Sequence, residues 1–551
     1  MFQVHNLAES NHEKEYKKKY EGMKLEDMPD RVAGIFVGKN IFITGGTGFL
    51  GKVFIEKLLR MCPEVNMIYL LMRVKKGKDP KERIQEVFAS PLFDKLRELH
   101  GNDITTKKLT AVSGDVTLPE LGLSAEDRQM LIENVNFVYH MAATIRFDEP
   151  LKKAVLLNTR GTKLMLELSR QIKNLELFVY VSTAYCHLEE KVLEEKGYAP
   201  YCDPHELIKT VEWMDDDIVN SMTRKILGNC PNTYAFTKNL SEGLVNEVFR
   251  EDPNFPGIII RPSIVVPIWK EPLPGWTDNI NGPTGLLIGA GKGVIRTMYC
   301  KQEGYADYIP VDVSASGLMV VSWNTVYNKD RDRKYYHFTS SEEIRVSWEE
   351  LIALGRKITE RIPLNGVVWY PGGSMKKSRL LHNICVFFFH TIPAYVIDTL
   401  IFLAGYKPIM CRVQQRITKG FEVFEYYANN QWQFMNTHVY HIRMIMNPRE
   451  RAYYKIDGQG LDIEEYFEDC IKAARLYVLK EMPETLPAAR RHLRIMYWVD
   501  VFTKIALLFL LFYVLSKYFD IVHFFFYGFL HLIAHVFSTI TDTASSILFK
   551  R

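Results

Sequence analysis

The stretch NIFITGGTGFLGKVFIEKLLRM, residues 40–61, decides the fold. Asn40 to Thr44 is an apolar strand, TGGTGFLG at 44–51 is a glycine-rich turn, and Phe49 to Met61 repeats its apolar residues with helical periodicity. A glycine pattern between a strand and a helix is the setting in which such a pattern binds a dinucleotide. Gly45 permits the tight turn, Gly48 lets a pyrophosphate approach the backbone, and Gly51 lets the helix pack closely, so the helix N-terminus meets the phosphates. Thr47, Phe49 and Leu50 complete the lining of that site. The competing reading is a structural glycine-rich turn with no ligand.

Working outward, further strands are expected at Met67 to Met72, Leu109 to Val112, Phe137 to Tyr139, Leu177 to Ser182 and Gly257 to Arg261, separated by stretches long enough for crossover helices. This alternation predicts an α/β fold with a doubly wound parallel sheet of the Rossmann type. The 551 residues exceed one core. Residues 1–36 read as a charged, solvated arm and 37–330 as the nucleotide-binding domain. Residues 331–495 read as a mainly helical domain, and 496–551 as a membrane anchor of one or two apolar segments. A net charge of +4 on a chain with 69 basic and 65 acidic residues excludes the basic stripe of a nucleic-acid binder. The eight cysteines show no CxxC pair and no metal-ligand spacing, so they read as reduced thiols and no metal is expected.

The chain ends in two apolar runs. Ile505 to Leu515 extends to about 20 residues if Asp500 and Lys504 sit at the interface; Ile521 to Ile540 either crosses back or lies in the interface. Arg490, Arg491 and Arg494 precede the first run, which predicts that the preceding domains stay cytosolic. The N-terminal residues lack the apolar core of a secretory signal, in keeping with that placement. A third apolar stretch, Leu380 to Gly405, contains Pro393, Asp398 and two histidines, and is expected to be a buried helix pair rather than a span.

Two cofactor contacts are expected beyond the glycine turn. At the end of the second strand, where an acid would bind the 2'-hydroxyl of NAD, stands Arg73, followed by Lys75 and Lys76; cations there suit the extra phosphate of NADPH, though solvated charge after a strand looks the same. Asp115 follows the third strand and either accepts from the adenine amino group or simply forms a turn. After the fourth strand, HMAAT at 140–144 offers Ala142 and Ala143, small enough for a nicotinamide ribose to lie against the backbone. Hydride transfer to a carbonyl needs a proton donor, and Tyr234 with Lys238 one helical turn later has the right spacing. The ammonium, with the oxidised nicotinamide, is expected to lower the phenol from about 10 toward neutrality. Tyr20 with Lys24 and Tyr513 with Lys517 share the spacing, but only Tyr234 follows a strand ending in Ser182 and Thr183 on the nucleotide-binding sheet. Thr183, or else Ser182, would donate a second hydrogen bond to the substrate oxygen.

TGGTGFLG at 44–51, HMAAT at 140–144, LNTRGT at 157–162, VSTAY at 181–185, YAFTK at 234–238 and RPSIV at 261–265 together resemble an extended short-chain dehydrogenase. More narrowly, GKVFIEKLLR at 51–60, EWMDDDIVN at 212–220, PNTYAFTK at 231–238, WKEPLPGWTDNINGPTGL at 269–286 and IPVDVS at 309–314 resemble the eukaryotic fatty acyl-CoA reductases, and residues from about 380 to 480 resemble their male-sterility-type second domain. The resemblance covers Val37 to about Leu493. It implies reduction of a long-chain acyl-CoA to a primary alcohol with two NADPH through a bound aldehyde. It maps nucleotide contacts onto Gly45, Gly48, Gly51, Arg73, Asp115, Ala142 and Lys238, and catalysis onto Thr183, Tyr234 and Lys238. Asn158 matches the helix asparagine of extended members, with its role left open. Partners implied are the acyl-CoA and membrane lipid, with the endoplasmic reticulum the first expected location and the peroxisome the second.

The interval from Thr183 to Tyr234 is long, 51 positions, and the insertion within it would be a channel wall or a surface excursion. The loop Asn281 to Gly293, with Lys292, is a candidate for CoA phosphates. Two other readings compete: a membrane-associated dehydrogenase of a sterol or nucleotide sugar, and a non-catalytic NADPH-binding scaffold.

Overall fold

All six expected strands, with a seventh that was not expected, form one sheet in the computed structural model, which describes residues 11–74, 77–280, 282–340 and 343–520 together with scattered residues of 521–539. The strands are β1 (Asn40–Thr44), β2 (Met67–Met72), β3 (Leu109–Ser113), β4 (Phe137–His140), β5 (Leu177–Val181), β6 (Gly257–Pro262) and β7 (Tyr335–Phe338). Their order is β7-β6-β5-β4-β1-β2-β3, and every pairing is parallel. β4 and β5 are buried along their whole length, which is why they read as unbroken apolar runs without alternation. The helices used below are α1 (Phe49–Met61), α2 (Thr233–Glu251), α3 (Val311–Tyr327), α4 (Arg379–Val386), α5 (Ile392–Leu403), α6 (Met410–Asn429) and α7 (Leu486–Ser516).

The sheet is covered on both faces, because alternate side chains of each strand point to opposite sides. Ile41 and Ile43 of β1 pack with Phe54 and Leu58 of α1 and with Leu318 and Trp323 of α3. Phe42, between them, joins the other core with Leu240 and Leu244 of α2. Strand order reverses at β1, with β2 and β3 to one side and β4 to β7 to the other. A crevice therefore opens beyond the carboxyl ends of β1 and β4, the usual place for a ligand in such a sheet.

The structure departs from several expectations. β7 lies past residue 330, so the sheet takes its edge strand from what reads as the second domain. That domain is stitched to the first: Gln433–Phe434 pairs with Val192–Leu193, inside the insertion between Thr183 and Tyr234, and Tyr466 donates to the Pro267 carbonyl (2.8 Å). The charged arm is anchored before residue 36. Arg31 makes a two-pronged ion pair with the buried Glu450, Tyr454 donates to Asp30, and Val32 and Phe36 are fully buried. Its high charge concealed these two apolar side chains. Gly282 to Gly293 is not an open loop, since Pro283–Gly291 is helical and Lys292 reaches the Asn365 carbonyl and Glu481, which leaves little of its charge for CoA. Asn281, Lys75, Lys76 and nine of the twenty residues of the run Ile521 to Ile540 lie outside the described residues.

Candidate functional site

The glycine turn closes against the backbone that follows β4. Gly45 has φ +76°, and a β-carbon on it would fall 2.7 Å from the Ala142 nitrogen. Thr44 reinforces the contact, because its Oγ1 accepts from the Ala142 N–H at 3.2 Å. A β-carbon on Gly51 would lie 2.4 Å from the Gly45 carbonyl oxygen, so only glycine lets α1 start this close to the turn. Gly48 caps α1 with no side-chain acceptor, and the first intrahelical N–H to be used there is that of Lys52. The N–H groups of Phe49, Leu50 and Gly51 are thus left to an anion at the positive end of the helix, which fits a pyrophosphate. Thr47 is half-buried beside them, as are Ala142 and Ala143 across the crevice.

At the adenosine end, β2 and β3 bring Arg73 and Asp115 side by side, with Arg73 Nη1 4.0 Å from Asp115 Oδ2. Asp115 does form a turn: its Oδ1 accepts from the N–H (2.9 Å) and the hydroxyl (2.8 Å) of Thr117. The other oxygen remains directed at Arg73. The Arg73 side chain is 57% exposed, long enough and free enough to meet a phosphate on the ribose.

The second cluster forms where α2 passes the end of β5. Asn232 caps α2 by accepting from the Ala235 N–H (2.9 Å), which fixes the first turn carrying Tyr234 and, one turn on, Lys238. Thr183 leaves β5 with its hydroxyl beside the Tyr234 phenol and accepts from the Tyr185 N–H (3.2 Å). Ser182 turns instead to the Cys186 thiol at 3.7 Å, so of the two hydroxyls it is Thr183 that faces Tyr234. Lys238 is 3% exposed and donates to the Val181 carbonyl (2.6 Å) and the Tyr180 phenol (3.3 Å).

The electrostatics differ from the simple expectation. Burial lowers Lys238 to about 8. Burial also raises the Tyr234 phenol well above its ordinary value, and the neighbouring Thr183 hydroxyl draws it only partly back. The protein therefore does not by itself bring Tyr234 toward neutrality, because desolvation of the phenolate outweighs the rest. What it supplies is a phenol that stays protonated at neutral pH, a donor to an oxygen gaining charge.

Further residues complete the site, some inside the quoted motifs with no role assigned to them and others, such as Phe147, Tyr427, His187 and Glu242, outside every motif. Asn158 sits in a wide helical turn, Val155–Arg160, and ties the segment after β4 to α2: its amide accepts from the Thr144 N–H (2.9 Å) and donates to Thr237 Oγ1 (2.9 Å). His140 is buried between Thr44 (2.7 Å) and Thr162 (3.1 Å), and burial holds it neutral with a pKa of about 3. From the second domain, α6 brings Tyr427, whose hydroxyl accepts from Asn232 (2.9 Å). The ring of Phe147 stands 5.7 Å from that of Tyr427 and edge-on to Tyr234 at 5.5 Å. One turn beyond Lys238, the fully buried Glu242 takes a two-pronged contact from Arg261 (Nε 3.0 Å, Nη2 2.7 Å) and another from His187 (2.9 Å). Burial opposes this charge, yet Arg261 and His187 hold Glu242 well below the usual carboxylate range. Cys186, His187 and Glu242 offer ligand atoms within 4.8 Å of one another, but Arg261 occupies both carboxylate oxygens. The cluster is thus organised as a buried ion pair. No spacing rule would find it, because its members come from a loop, a helix and β6.

Two family models match the chain, both described as male sterility protein: a NAD-binding model over residues 43–318 and a second, the sterile model, over 389–481. Rat fatty acyl-CoA reductase 1 is 40% identical over 458 residues, 83% of this chain and 88% of its own length. The human protein of that name is 39% identical over the same shares, and the Drosophila melanogaster fatty acyl-CoA reductase wat is 37% identical over 82% of this chain and 86% of its own. Among solved structures, the reductase domain of a nonribosomal peptide synthetase from Mycobacterium tuberculosis superposes with a TM-score of 0.52 at 15% identity, covering 83% of this chain and 98% of that one. That likeness concerns the fold alone. The NAD-binding model and the crevice geometry together indicate a nicotinamide cofactor.

Proposed function

This chain belongs to the male sterility protein family, among the fatty acyl-CoA reductases, and from that premise we propose that it reduces a long-chain fatty acyl-CoA to the primary alcohol with NADPH, through a bound aldehyde. The observation that carries the reading is the Tyr234 phenol beside the Thr183 hydroxyl, with Lys238 one turn away fixed on the Val181 carbonyl, and a glycine turn with uncommitted helix N–H groups. Bound in that crevice, the cofactor supplies hydride to the carbonyl carbon. Tyr234 gives its proton to the carbonyl oxygen and Thr183 donates a second hydrogen bond, which together stabilise the charge that develops there. In the first round the product is a hemithioacetal that expels CoA as thiol and leaves the aldehyde. In the second round the same two hydroxyls hold the aldehyde oxygen and Tyr234 again supplies the proton, giving the alcohol. Lys238, fixed on the Val181 carbonyl, holds positive charge beside the donor and offers its remaining N–H bonds to the cofactor ribose. Phe147 and Tyr427 shield the phenol from water on its outer side.

The choice of NADPH over NADH is supported by Arg73 at the end of β2, where no acid is present to bind a free 2'-hydroxyl. An apolar cavity of about 70 Å3 between the two halves of the chain, bordered by Val266, Ile309, Ile456 and Tyr466, is a candidate stretch of the acyl path; each buried CH2 is worth about 0.8 kcal/mol there. Two stretches of described helix, Arg379–Leu403 and Pro483–Ser516, are long and apolar enough to cross a membrane. We assign α7 as the anchor, with the catalytic part cytosolic on the strength of Arg490, Arg491 and Arg494, and place the protein first in the endoplasmic reticulum. The test is product analysis: membranes carrying the full chain, given acyl-CoAs of graded length and either NADPH or NADH. Fatty alcohol with NADPH is expected. Equal rates with NADH would remove the role given to Arg73, and no product from any acyl-CoA would overturn the reading.

A further inference from the structure

Expected to be a buried pair, the helices of Arg379–Leu403 are exposed along one face, where Leu380 (71%), Phe388 (57%), Leu400 (60%) and Leu403 (74%) have no protein cover. Every polar residue that argued against a membrane environment is turned the other way. His382 Nδ1 is bonded to Thr297 Oγ1 (3.1 Å), and His390 Nε2 accepts from the Arg296 N–H (2.8 Å). Asp398 accepts from the N–H groups of Ile409, Met410 and Cys411 (2.9, 2.8 and 2.8 Å), capping α6, so its charge is satisfied at the positive end of a helix. All three polar side chains are buried.

These ties argue against a crossing. Asp398 holds the far end to α6, while both histidines lead back to one segment of the catalytic body, as do the flanks: the strand Ser374–Lys376 that precedes the stretch pairs with Thr297–Tyr299, and Gln414 after it reaches the Val294 carbonyl (3.5 Å). A spanning helix would have lipid on all sides; this one lies flat against residues 294–299. Its position also links it to α7. The same Arg296 that binds His390 through its N–H donates from its guanidinium to Asp500 (3.3 Å), the last acid of α7 before its exposed apolar half. The face of Arg379–Leu403 thus adjoins the point where the anchor leaves the protein. Its surroundings are basic: Lys377 and Arg379 are paired with Glu303 and Glu425, but Lys376, Lys407, Arg412, Arg416 and Lys419 also flank it, and the one acid within 376–419, Asp398, is capped.

We propose that Arg379–Leu403 is an in-plane docking helix, its apolar face sunk into the cytosolic leaflet of the bilayer that α7 enters and its basic flanks set on anionic headgroups. An amphipathic helix with cationic margins is the form that such binding takes. The catalytic body would then be held against the leaflet at two points instead of hanging from a tether.

The test uses the full chain in bilayers of phosphatidylcholine with an anionic phospholipid, carrying photoreactive benzoylphenylalanine in place of Phe388, Leu400 or, as reference, the exposed Tyr327 at the far end of α3. Lipid adducts at Phe388 and Leu400 with none at Tyr327 are expected. A separate variant, with an N-glycosylation acceptor inserted at Gly405 and expressed in microsomes, should remain unglycosylated. Failure of both positions to acquire lipid, or their crosslinking to another protein, would overturn the proposal, and so would glycosylation at Gly405, which would mean that the stretch crosses. None of these readouts depends on activity, so they stand apart from the outcome of the product analysis.

Discussion

Replacing Gly51 with alanine should weaken the cofactor site while leaving the rest of the chain folded. The new β-carbon would fall 2.4 Å from the Gly45 carbonyl oxygen and 2.7 Å from the Gly46 α-carbon, against ordinary carbon contacts of about 3.5 to 4.0 Å. Either α1 retreats by about 1 Å or the turn opens, and overpacking of this size costs about 1–3 kcal/mol. Both movements disturb the N–H groups of Phe49 to Gly51 that are left for the pyrophosphate. If that energy is drawn from nucleotide binding, affinity falls about 5- to 150-fold. The assay is a fluorescence titration of NADPH against the full chain in lipid nanodiscs, alongside a thermal melt. Gly420→Ala, where an added β-carbon meets nothing within 4 Å, serves as control and should bind normally. NADPH binding by Gly51→Ala within about twofold of the unaltered chain would refute the assignment of this turn as the phosphate seat.

Tyr234→Phe removes the proton donor and should lower turnover by about 10²- to 10⁴-fold while NADPH still binds; loss of binding instead would make the residue structural. Because burial lowers Lys238 to about 8, its ammonium is charged below that pH and neutral above it. A kcat/KM profile should therefore fall as pH rises through about 8, and Lys238→Arg, which stays charged, should lose that limb even if its overall rate is lower. Arg261→Met strands the fully buried Glu242 and should destabilise the protein by about 3–5 kcal/mol, read as a lowered melting temperature, with much of it recovered on adding Glu242→Leu. The depressed Glu242 pKa means that the pair stabilises the fold above the ordinary carboxylate range and that this contribution is lost only as pH falls through the lower, folded value; a melting series with falling pH should be shallower in the double variant.

The strands of the sheet up to β6 were legible because parallel strands buried on both faces are written as short apolar runs, and the glycine turn because Gly45 and Gly51 face contacts that no other residue tolerates. Tyr234 and Lys238 were found through a fixed spacing on one helix. What escaped depended on residues far apart in sequence. β7 was missed because Tyr335–Phe338 is short and mixes aromatics with a histidine, and nothing local says that it joins β6. Phe147 and Tyr427 meet only when the second domain folds back. Asp398 and His390 pointed to a protein-packed face on Arg379–Leu403, and both are buried, but burial of the whole pair did not follow, since a helix can hide its polar residues and still expose the rest. The phenol's raised pKa was missed for a related reason: charge proximity is visible in a spacing, whereas desolvation is not.

The central claim, that one site built on Tyr234, Thr183 and Lys238 carries an acyl-CoA through aldehyde to alcohol, is tested most directly by stoichiometry. Purified full-length protein in lipid would be given a long-chain acyl-CoA, with NADPH oxidation and free CoA thiol followed in the same cuvette. Two NADPH oxidised for each CoA released, with alcohol as the product and both signals lost together in Tyr234→Phe, is the predicted result. One NADPH per CoA with free aldehyde accumulating, or CoA release that survives in Tyr234→Phe, would contradict it.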